Sequence, residues 1–162
     1  IPFPTKTENL HHEVELVVFI KSECVNIDPS EASTHIFGYA VGVDLTKRDL
    51  QSTAKKASKP WDLSKGFDNS APISKIIKKE GFLIDEGGIS LNVNGQRRQS
   101  SNILNMVWKV DELISWLSKF ITLKAGDIIF TGTPAGVGRL VPKDKIDAEI
   151  ENVGTLSFEL TK

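Results

Sequence analysis

The sequence lacks the residues from which disulfide-stabilised and zinc-dependent proteins are built. Its 162 residues include a single cysteine, Cys24, which has no partner for an internal disulfide. Three histidines and one cysteine, without paired Cys or His-x-x-x-His spacing, make a poor tetrahedral zinc site. We therefore expect a protein of a reducing compartment, with a cytoplasmic location, or the mitochondrial matrix if the source is eukaryotic.

Long apolar runs and an excess of one charge are also absent. No stretch approaches the roughly 18 apolar residues of a membrane span, and no charged segment followed by an apolar run and a cleavage site marks a secretory signal. The 20 Lys and Arg residues nearly balance 21 Asp and Glu residues, so no basic surface suited to nucleic acid is expected. We expect neither a membrane nor a nucleic acid as partner, and the length suits one domain.

Two glutamates in an apolar stretch carry the first chemical signal. In the strand predicted over residues 11–20, the even positions are almost all apolar, whereas the odd positions begin with Glu13 and Glu15 and then turn apolar. Two buried carboxylates side by side repel each other unless a cation lies between them, and a hard divalent metal is the simplest such cation. From the pattern alone, a solvated strand end with two surface glutamates is an equally good interpretation.

A third carboxylate, Asp44, ends the strand predicted over residues 38–44. One face of that strand is bulky, and the other carries only Gly38, Ala40 and Gly42. Glycine within a strand indicates close approach of a backbone or a ligand, so we interpret Asp44 as lying beside open space, with a simple turn cap as the alternative. An all-carboxylate set favours Mg²⁺, Mn²⁺ or Ca²⁺ over softer metals.

The other predicted elements are short. Capping residues and apolar periodicity predict helices over residues 29–37, 46–57 and 110–121. Strands are predicted over residues 14–21, 81–84, 89–93, 128–130, 146–150 and 156–160. An Asn94-Gly95 pair predicts a hairpin turn, and residues 64–70 predict a loop. We divide the chain into an extended lead-in over residues 1–10 and one catalytic domain over residues 11–162.

The glycine-rich stretch over residues 132–138 does not complete a nucleotide-binding motif. A P-loop needs Gly-Lys-Ser/Thr, whereas Gly138 is followed by Arg139, and Val141 stands where Gly-x-Gly-x-x-Gly needs its last glycine. We interpret the stretch as a loop whose Thr131 and Thr133 hydroxyls and backbone amides approach an anionic ligand. A plain tight turn at a strand end is the alternative.

Four motifs in order resemble the fumarylacetoacetate hydrolase family. They are the Glu-x-Glu strand and the segments over residues 38–51, 59–68 and 126–138. The likeness is closest to the acylpyruvase and fumarylpyruvate hydrolase-like members. It implies an α+β fold, namely a mixed β-sandwich or β-roll of the family's C-terminal domain type with a few short helices. It also implies a homodimer.

The resemblance further implies which residues form the site. Glu13, Glu15 and Asp44 would bind Mg²⁺ or Mn²⁺, and Lys65 would be a catalytic residue beside the metal-bound substrate.

Three more residues of the motifs would bind the substrate. Thr133 would contact its carboxylate, whereas Arg48 and Gln51 would line or support the same pocket. The substrate would be a small 2-oxo or 2,4-diketo acid.

The activity implied is metal-dependent hydrolysis of a carbon–carbon bond in a 2,4-diketo acid of the acylpyruvate or fumarylpyruvate type, through a metal-stabilised enolate. An isomerase or an oxaloacetate decarboxylase on the same metal site is the alternative.

The beginning of the chain bears on that activity. The sequence opens Ile1-Pro2-Phe3-Pro4, without methionine, so we expect a piece of a longer protein. Family hydrolases carry an N-terminal Asn-Tyr…His…Glu lid that orients and deprotonates the attacking water. The sequence begins after that segment, so we expect the metal half of the site without the water-activating half. A truncated, non-catalytic binding domain is therefore a further alternative.

Overall fold

The computed structural model describes residues 1–162, in which eleven strands form three sheets. The strands are β1 (Leu10–His12), β2 (Val14–Ile20), β3 (Ile36–Val43), β4 (Thr46–Lys47), β5 (Ile77–Lys78), β6 (Gly88–Val93), β7 (Gln96–Asn102), β8 (Ile128–Phe130), β9 (Gly138–Leu140), β10 (Lys145–Ile150) and β11 (Gly154–Glu159). Three α-helices accompany them, namely α1 (Arg48–Lys56), α2 (Asp62–Lys65) and α3 (Val110–Ser118). No helix has the length and apolar character needed to cross a membrane.

The central sheet has the order β5-β3-β2-β8, and all its strand pairs are antiparallel. Every residue of β2 is buried, but its two faces meet different surroundings. Leu16 and Val18 belong to the main hydrophobic core, whereas Val17 and Phe19 form a smaller cluster with Ala40. The predicted separation of even and odd positions is therefore confirmed.

A second antiparallel sheet, of order β11-β10-β6-β7, contributes the opposite side of the main core. Leu91 of β6 and Ile146 of β10 are fully buried there. The predicted hairpin turn is confirmed, because Asn94 and Gly95 both have positive φ, 51° and 76°, the conformation that a two-residue turn of this type requires. The strands predicted over residues 89–93, 146–150 and 156–160 are present with shifts of one or two residues.

A third, small sheet of order β4-β1-β9 lies at the start of β2. The stretch over residues 11–20 is divided at Glu13, and the predicted strand over residues 14–21 corresponds to β2: β1 pairs with β4 and β9, whereas β2 pairs with β3 and β8. This change of partners brings Thr46 and Gly138 next to the acidic end of β2.

The helix predicted over residues 46–57 begins later than expected, and the loop predicted over residues 64–70 is partly helical. Thr46 pairs with His11 in the small sheet, so α1 starts at Arg48 rather than at Thr46. In the segment predicted as a loop over residues 64–70, Ser64 and Lys65 instead close the one-turn helix α2.

The helix predicted over residues 29–37 is wrong in type and length. Residues 29–35 form a 3₁₀ helix in which Ala32 is the one buried residue, so little apolar packing holds a wider helix. Ile36 then pairs with Ile20, and β3 begins there rather than at Gly38. The third predicted helix, α3, ends at Ser118, three residues before the predicted end.

The strand predicted over residues 81–84 is also wrong, because these residues pair with no strand. The buried Tyr39 hydroxyl makes hydrogen bonds that a neighbouring strand would otherwise make. It donates to the Phe82 carbonyl (2.8 Å) and accepts from the Ile84 amide (3.4 Å). One side chain thus satisfies the backbone groups that would otherwise favour a strand.

Candidate active site

Three carboxylates converge where β2 and β3 lie side by side. Glu13 lies at the break between β1 and β2, Glu15 is the second residue of β2, and Asp44 directly follows β3. Antiparallel pairing brings Asp44 opposite Glu13, since the Asp44 amide donates to the Glu13 carbonyl (2.8 Å). One oxygen of each carboxylate lies within 4.8 Å of the others. Glu13 and Glu15 are only 8% and 4% exposed, so they do not form a solvated strand end.

Lys65 reaches into this cluster from the end of α2. Its Nζ donates to Glu13 Oε2 (2.6 Å), to Thr46 Oγ1 (2.7 Å) and to the Asp44 carboxylate. Burial alone would lower the pKa of Lys65, but its hydrogen bonds to Asp44 and Glu13 outweigh burial and raise that pKa. Lys65 is therefore a charged ammonium in contact with two of the three acids.

Arg48, the first residue of α1, contacts the other side of Glu13. Its guanidinium donates to the Glu13 carboxylate, to Gln51 Oε1 (2.5 Å) and to His11 Nδ1 (3.4 Å). Burial alone would raise the pKa of Glu13, but hydrogen bonds from Lys65 and Arg48 outweigh burial and lower it. Arg48 and Gln51 thus lie beside the cluster, where their binding of a substrate remains a prediction.

Glu15 has no cationic partner. Its Oε2 accepts one hydrogen bond, from the Gly132 amide (2.6 Å). Burial, together with the neighbouring carboxylates of Asp44 and Glu13, raises the pKa of Glu15 to about 7, because these effects outweigh the opposing hydrogen bond from the Gly132 amide. Burial also raises the pKa of Asp44, because its hydrogen bond from Lys65 offsets only part of the desolvation. The cluster is thus deficient in positive charge.

The donor set fits a hard divalent cation. Three carboxylates face two cationic side chains, Lys65 and Arg48, which leaves negative charge centred on Glu15. Carboxylate oxygens in this number are ligands for Mg²⁺, Mn²⁺ or Ca²⁺ rather than for zinc or copper. The structure brings the three predicted ligands together, and their binding of an ion stays a prediction.

The glycine-rich loop after β8 differs from its predicted role. The Thr131 hydroxyl donates to the Leu16 carbonyl (2.9 Å), so it serves the fold rather than a ligand. The Gly132 amide does meet an anion, but that anion is the Glu15 carboxylate. Thr133 Oγ1 accepts from Gln99 Nε2 (2.8 Å), and its own proton has no acceptor within the chain. Of the two predicted hydroxyls, only that of Thr133 remains available to a ligand.

The bare face of β3 is likewise filled by protein. A Cβ at Gly42 would lie 2.5 Å from Val17 Cγ2 and 2.6 Å from Phe130 Cε1, and one at Gly38 would overlap the Ile77 carbonyl. The two glycines therefore admit neighbouring side chains and backbone, not a ligand, whereas Asp44, just beyond the strand, is partly exposed.

A cavity of about 410 Å³ lies beside the glycine-rich loop that follows β8. Its wall is mostly apolar and includes Leu16, Met106, Trp108, Thr133 and Pro134. None of the three carboxylates lines it, but Gly132, whose amide donates to Glu15, does, so the cavity adjoins the charged cluster.

Sequence reasoning did not find Thr46, Gly132 and Gln99 as members of the site. Thr46 accepts from Lys65 and Gly132 donates to Glu15, and both contacts depend on chain segments that meet only in the fold. Gln99 is fully buried in β7, a strand whose polar sequence carries no sign of an inward position.

Three converging carboxylates, two of them buried and two of them in contact with a lysine, form the kind of site used by divalent-metal-dependent enzymes. The chain belongs to the fumarylacetoacetate hydrolase family, because the family model described as "Fumarylacetoacetate (FAA) hydrolase C-terminal" matches residues 1–161. The predicted family and fold class are thereby confirmed.

Several relatives are similar over nearly the whole chain. The fumarylpyruvate hydrolase of Ralstonia sp. is 40% identical over 158 residues, which is 98% of this chain and 82% of that protein. The mitochondrial oxaloacetate tautomerase of Homo sapiens is 40% identical over 164 aligned positions, covering 100% of this chain and 74% of that protein.

One solved structure is especially informative. Fumarylpyruvate hydrolase from Pseudomonas aeruginosa, in complex with Mn²⁺ and pyruvate, superposes with a TM-score of 0.97 at 39% identity, covering 99% of this chain and 70% of that one.

Proposed function

We propose that this chain forms the metal-binding core of an enzyme that cleaves a carbon–carbon bond in a 2,4-diketo acid of the acylpyruvate or fumarylpyruvate type. The observation that carries the proposal is Lys65, whose ammonium lies among Glu13, Asp44 and Thr46 beside a third, uncompensated carboxylate. The fumarylpyruvate hydrolases among its relatives, one of them with Mn²⁺ and pyruvate, support the same substrate class.

Glu13, Glu15 and Asp44 would hold Mg²⁺ or Mn²⁺. When bound, the cation supplies Lewis-acid polarisation of the oxo acid. The three donors of Lys65 contact Glu13, Asp44 and Thr46, so Lys65 would place its positive charge beside the negative oxygen that develops as the pyruvate part leaves as an enolate. Preorganised charge of opposite sign at such an oxygen is usually the largest single contribution to catalysis.

The remaining residues hold the substrate and the acids in place. Arg48 keeps Glu13 ionised through its ion pair, and Gln51 in turn accepts from the same guanidinium. The Thr133 hydroxyl would donate its unused proton to the substrate's carboxylate. Each of these groups is charged or polar, and together they suit a small anionic oxo acid.

Neither histidine near the cluster is placed to activate water. His11 has one ring nitrogen on Asn9 and the other on Arg48, and His12 is buried with Nδ1 on Gln99. Hydrolysis therefore requires a base from outside these residues, which the family resemblance assigns to an N-terminal lid.

Oxaloacetate tautomerisation is the second candidate. Relatives from Homo sapiens and Escherichia coli that carry this name are 40% and 43% identical to the chain. Moving a proton between carbon and oxygen of an oxo acid needs no attacking water, which agrees with the engaged histidines.

The test combines binding and turnover. Calorimetry should detect Mn²⁺ or Mg²⁺ uptake by the chain and its loss in a Glu13→Ala, Glu15→Ala double variant. Acylpyruvate, fumarylpyruvate and oxaloacetate assays with metal then separate the activities. Turnover of oxaloacetate alone, by enol–keto conversion or loss of CO₂, would replace the hydrolase proposal, and absence of metal uptake would overturn it.

A further inference from the structure

We infer that Gln99 is a positioning residue, which holds the Thr133 hydroxyl at a set place relative to the strand that carries Glu13 and Glu15. The inference rests on the proposed function, in which Thr133 contacts the carboxylate of an oxo acid. It adds a residue of β7 that neither the motifs nor the charge pattern had singled out.

The carboxamide of Gln99 is completely used. Its Oε1 accepts from the Val14 amide (3.2 Å) and contacts His12 Nδ1 (2.8 Å), while its Nε2 donates to Thr133 Oγ1 (2.8 Å) and to the Pro134 carbonyl (2.9 Å). Two donors and two acceptor positions are all that this group has. With 0% of the residue exposed, no water competes for any of them.

The orientation of this amide group is determined by the backbone. The Val14 amide can only donate, and the Pro134 carbonyl can only accept, so Oε1 must face Val14 and Nε2 must face Pro134. Consequently Nε2 donates to Thr133, and His12 carries its proton on Nδ1. A rotated amide would lose both backbone partners in a buried place, which is strongly unfavourable.

The loop is fixed by other contacts before and after Thr133. Thr131 is bonded to the Leu16 carbonyl through both its amide (3.2 Å) and its hydroxyl (2.9 Å). Gly136, with φ of 100°, lies so close to the Arg98 carbonyl that a Cβ would overlap it. Between these two points, the bond from Gln99 is the only hydrogen bond of the Thr133 side chain.

The bond from Gln99 leaves the Thr133 proton free. Nε2 occupies one of the two acceptor positions of Oγ1, so the hydroxyl still has its proton to donate. A donor suits an anionic oxygen, such as the carboxylate of a 2-oxo acid. Gln99 thus links the acidic strand to the loop that would read the substrate's carboxylate.

The test uses pyruvate as probe on the Mn²⁺-loaded chain, with calorimetry for both ligands. We expect Gln99→Met and Thr133→Val each to weaken pyruvate binding about tenfold. The double variant should bind pyruvate as Thr133→Val does, because Gln99 acts through Thr133. Mn²⁺ affinity should change by less than about twofold, since no carboxylate of the cluster bonds to Gln99. Ser100→Ala, at the exposed neighbouring position of β7, is the matched control and should alter neither affinity.

A second variant guards against a folding defect. Gln99→Glu keeps an acceptor for Val14 and His12 but loses both donors to the loop, so it too should weaken pyruvate binding, and unchanged Mn²⁺ affinity shows that the variant has folded with its acidic cluster intact. Unchanged pyruvate affinity in the Gln99 variants, or additive losses in the double variant, would overturn the inference while leaving the proposed function standing. Failure of the unmodified chain to bind pyruvate with Mn²⁺ would overturn the proposed function and the inference together.

Discussion

The two faces of β2 differ in what they contribute to the protein. On one face, Leu16 and Val18 are fully buried in the main core, where each such side chain stabilises the fold by about 1.5–3 kcal/mol. On the other face, Glu15 is buried without a cation and its pKa is raised to about 7. One face of this strand therefore stabilises the fold, whereas the other holds a carboxylate whose burial is electrostatically unfavourable. The two faces alternate from one residue to the next along the strand.

The same contrast holds between neighbours on the acidic face. Glu13 contacts Lys65 and Arg48, which lower its pKa, whereas Glu15 two residues later has only the Gly132 amide. Further along, Val17 and Phe19 are packed against Ala40. The face thus changes from charged to apolar within two residues, and the region lacking positive charge is confined to the site.

The largest effect is expected on the acidic face from Lys65→Met. Removing the positive charge beside the developing negative oxygen should lower kcat/KM for the turned-over oxo acid about 1000-fold. Mn²⁺ affinity should hold or rise, because a competing cation leaves Glu13 and Asp44. Lys59→Met, at an exposed position, is the control in steady-state assays. Turnover within severalfold of the parent, with metal binding intact, would contradict the role assigned to Lys65.

On the core face, Leu16→Ala should lower the free energy of unfolding by about 3 kcal/mol, through lost burial and the cavity left behind. Urea denaturation measures the change. Leu63, which is 79% exposed, provides the control, and Leu63→Ala should stay within about 0.5 kcal/mol of the parent. Equal effects of the two substitutions would mean that this face of β2 is not the core.

Glu15→Gln should have opposite effects on function and stability. Mn²⁺ affinity should fall on the order of 100-fold. Loss of a residue that merely orients a metal ligand can already weaken metal binding by this amount, and Glu15 would itself be a ligand. The metal-free protein should become more stable by about 1 kcal/mol, because an unpaired buried charge is removed. Glu13→Gln is the matched control: it should also weaken metal binding, but destabilise the metal-free protein by separating Lys65 and Arg48 from a partner. Calorimetry measures the metal affinities, and thermal unfolding in the presence of a chelator measures the stabilities of the metal-free proteins. Equal changes in stability for the Glu15 and Glu13 variants would contradict the predicted difference between these residues.

Gly42→Ala tests how tightly the apolar part of the acidic face is packed. The added methyl would meet Val17 and Phe130, and overpacking of this kind should lower the free energy of unfolding by about 1–2 kcal/mol. Gly88→Ala, whose methyl would lie 3.7 Å from Glu151 Oε2, should be nearly neutral in the same denaturation experiment. A neutral Gly42→Ala would show that Val17 and Phe130 move aside freely.

The smallest effect at neutral pH concerns Tyr39, which pairs with Val18 and is the only tyrosine in the chain. Burial raises the pKa of Tyr39 to about 12. The fold therefore binds this proton more tightly than the unfolded chain, so stability is full below about pH 10 and falls as the pH rises towards 12, by at most about 1.4 kcal/mol per unit. Ultraviolet absorbance of tyrosinate measures the titration, and a midpoint near pH 10 would refute the buried environment.

Residue type and spacing were enough to predict the two faces of β2. Alternation of apolar and acidic residues separates core from site without reference to any other strand, and the carboxylates of Glu13, Glu15 and Asp44 do meet in the structure. Their motifs, with those around Lys65 and the glycine-rich loop, also predicted the family that the comparison confirms. Which side chains touch the substrate stays a prediction.

Contacts between distant segments explain the elements that were predicted wrongly. Residues 81–84 are not a strand because the Tyr39 hydroxyl satisfies their backbone. The bare face of β3 is filled at Gly42 because side chains of the neighbouring strands β2 and β8, Val17 and Phe130, reach over it. The local sequence pattern could not reveal these contacts, because Tyr39, Val17 and Phe130 each lie more than twenty residues along the chain from the segment that they contact.

The amino-acid sequence by itself determined which functional groups this protein offers: three carboxylates that meet, a lysine and a glycine-rich loop, carried on short strands around one core. Only the tertiary structure decided that Gln99 faces inward. A register shift between Leu91 and Asn92 pairs Leu91 with Gln99, whereas an unshifted hairpin would have paired it with Arg98. Since a shift of one residue exchanges the two faces of a strand, this irregularity places a neutral amide, rather than a charged guanidinium, between the acidic strand and the loop.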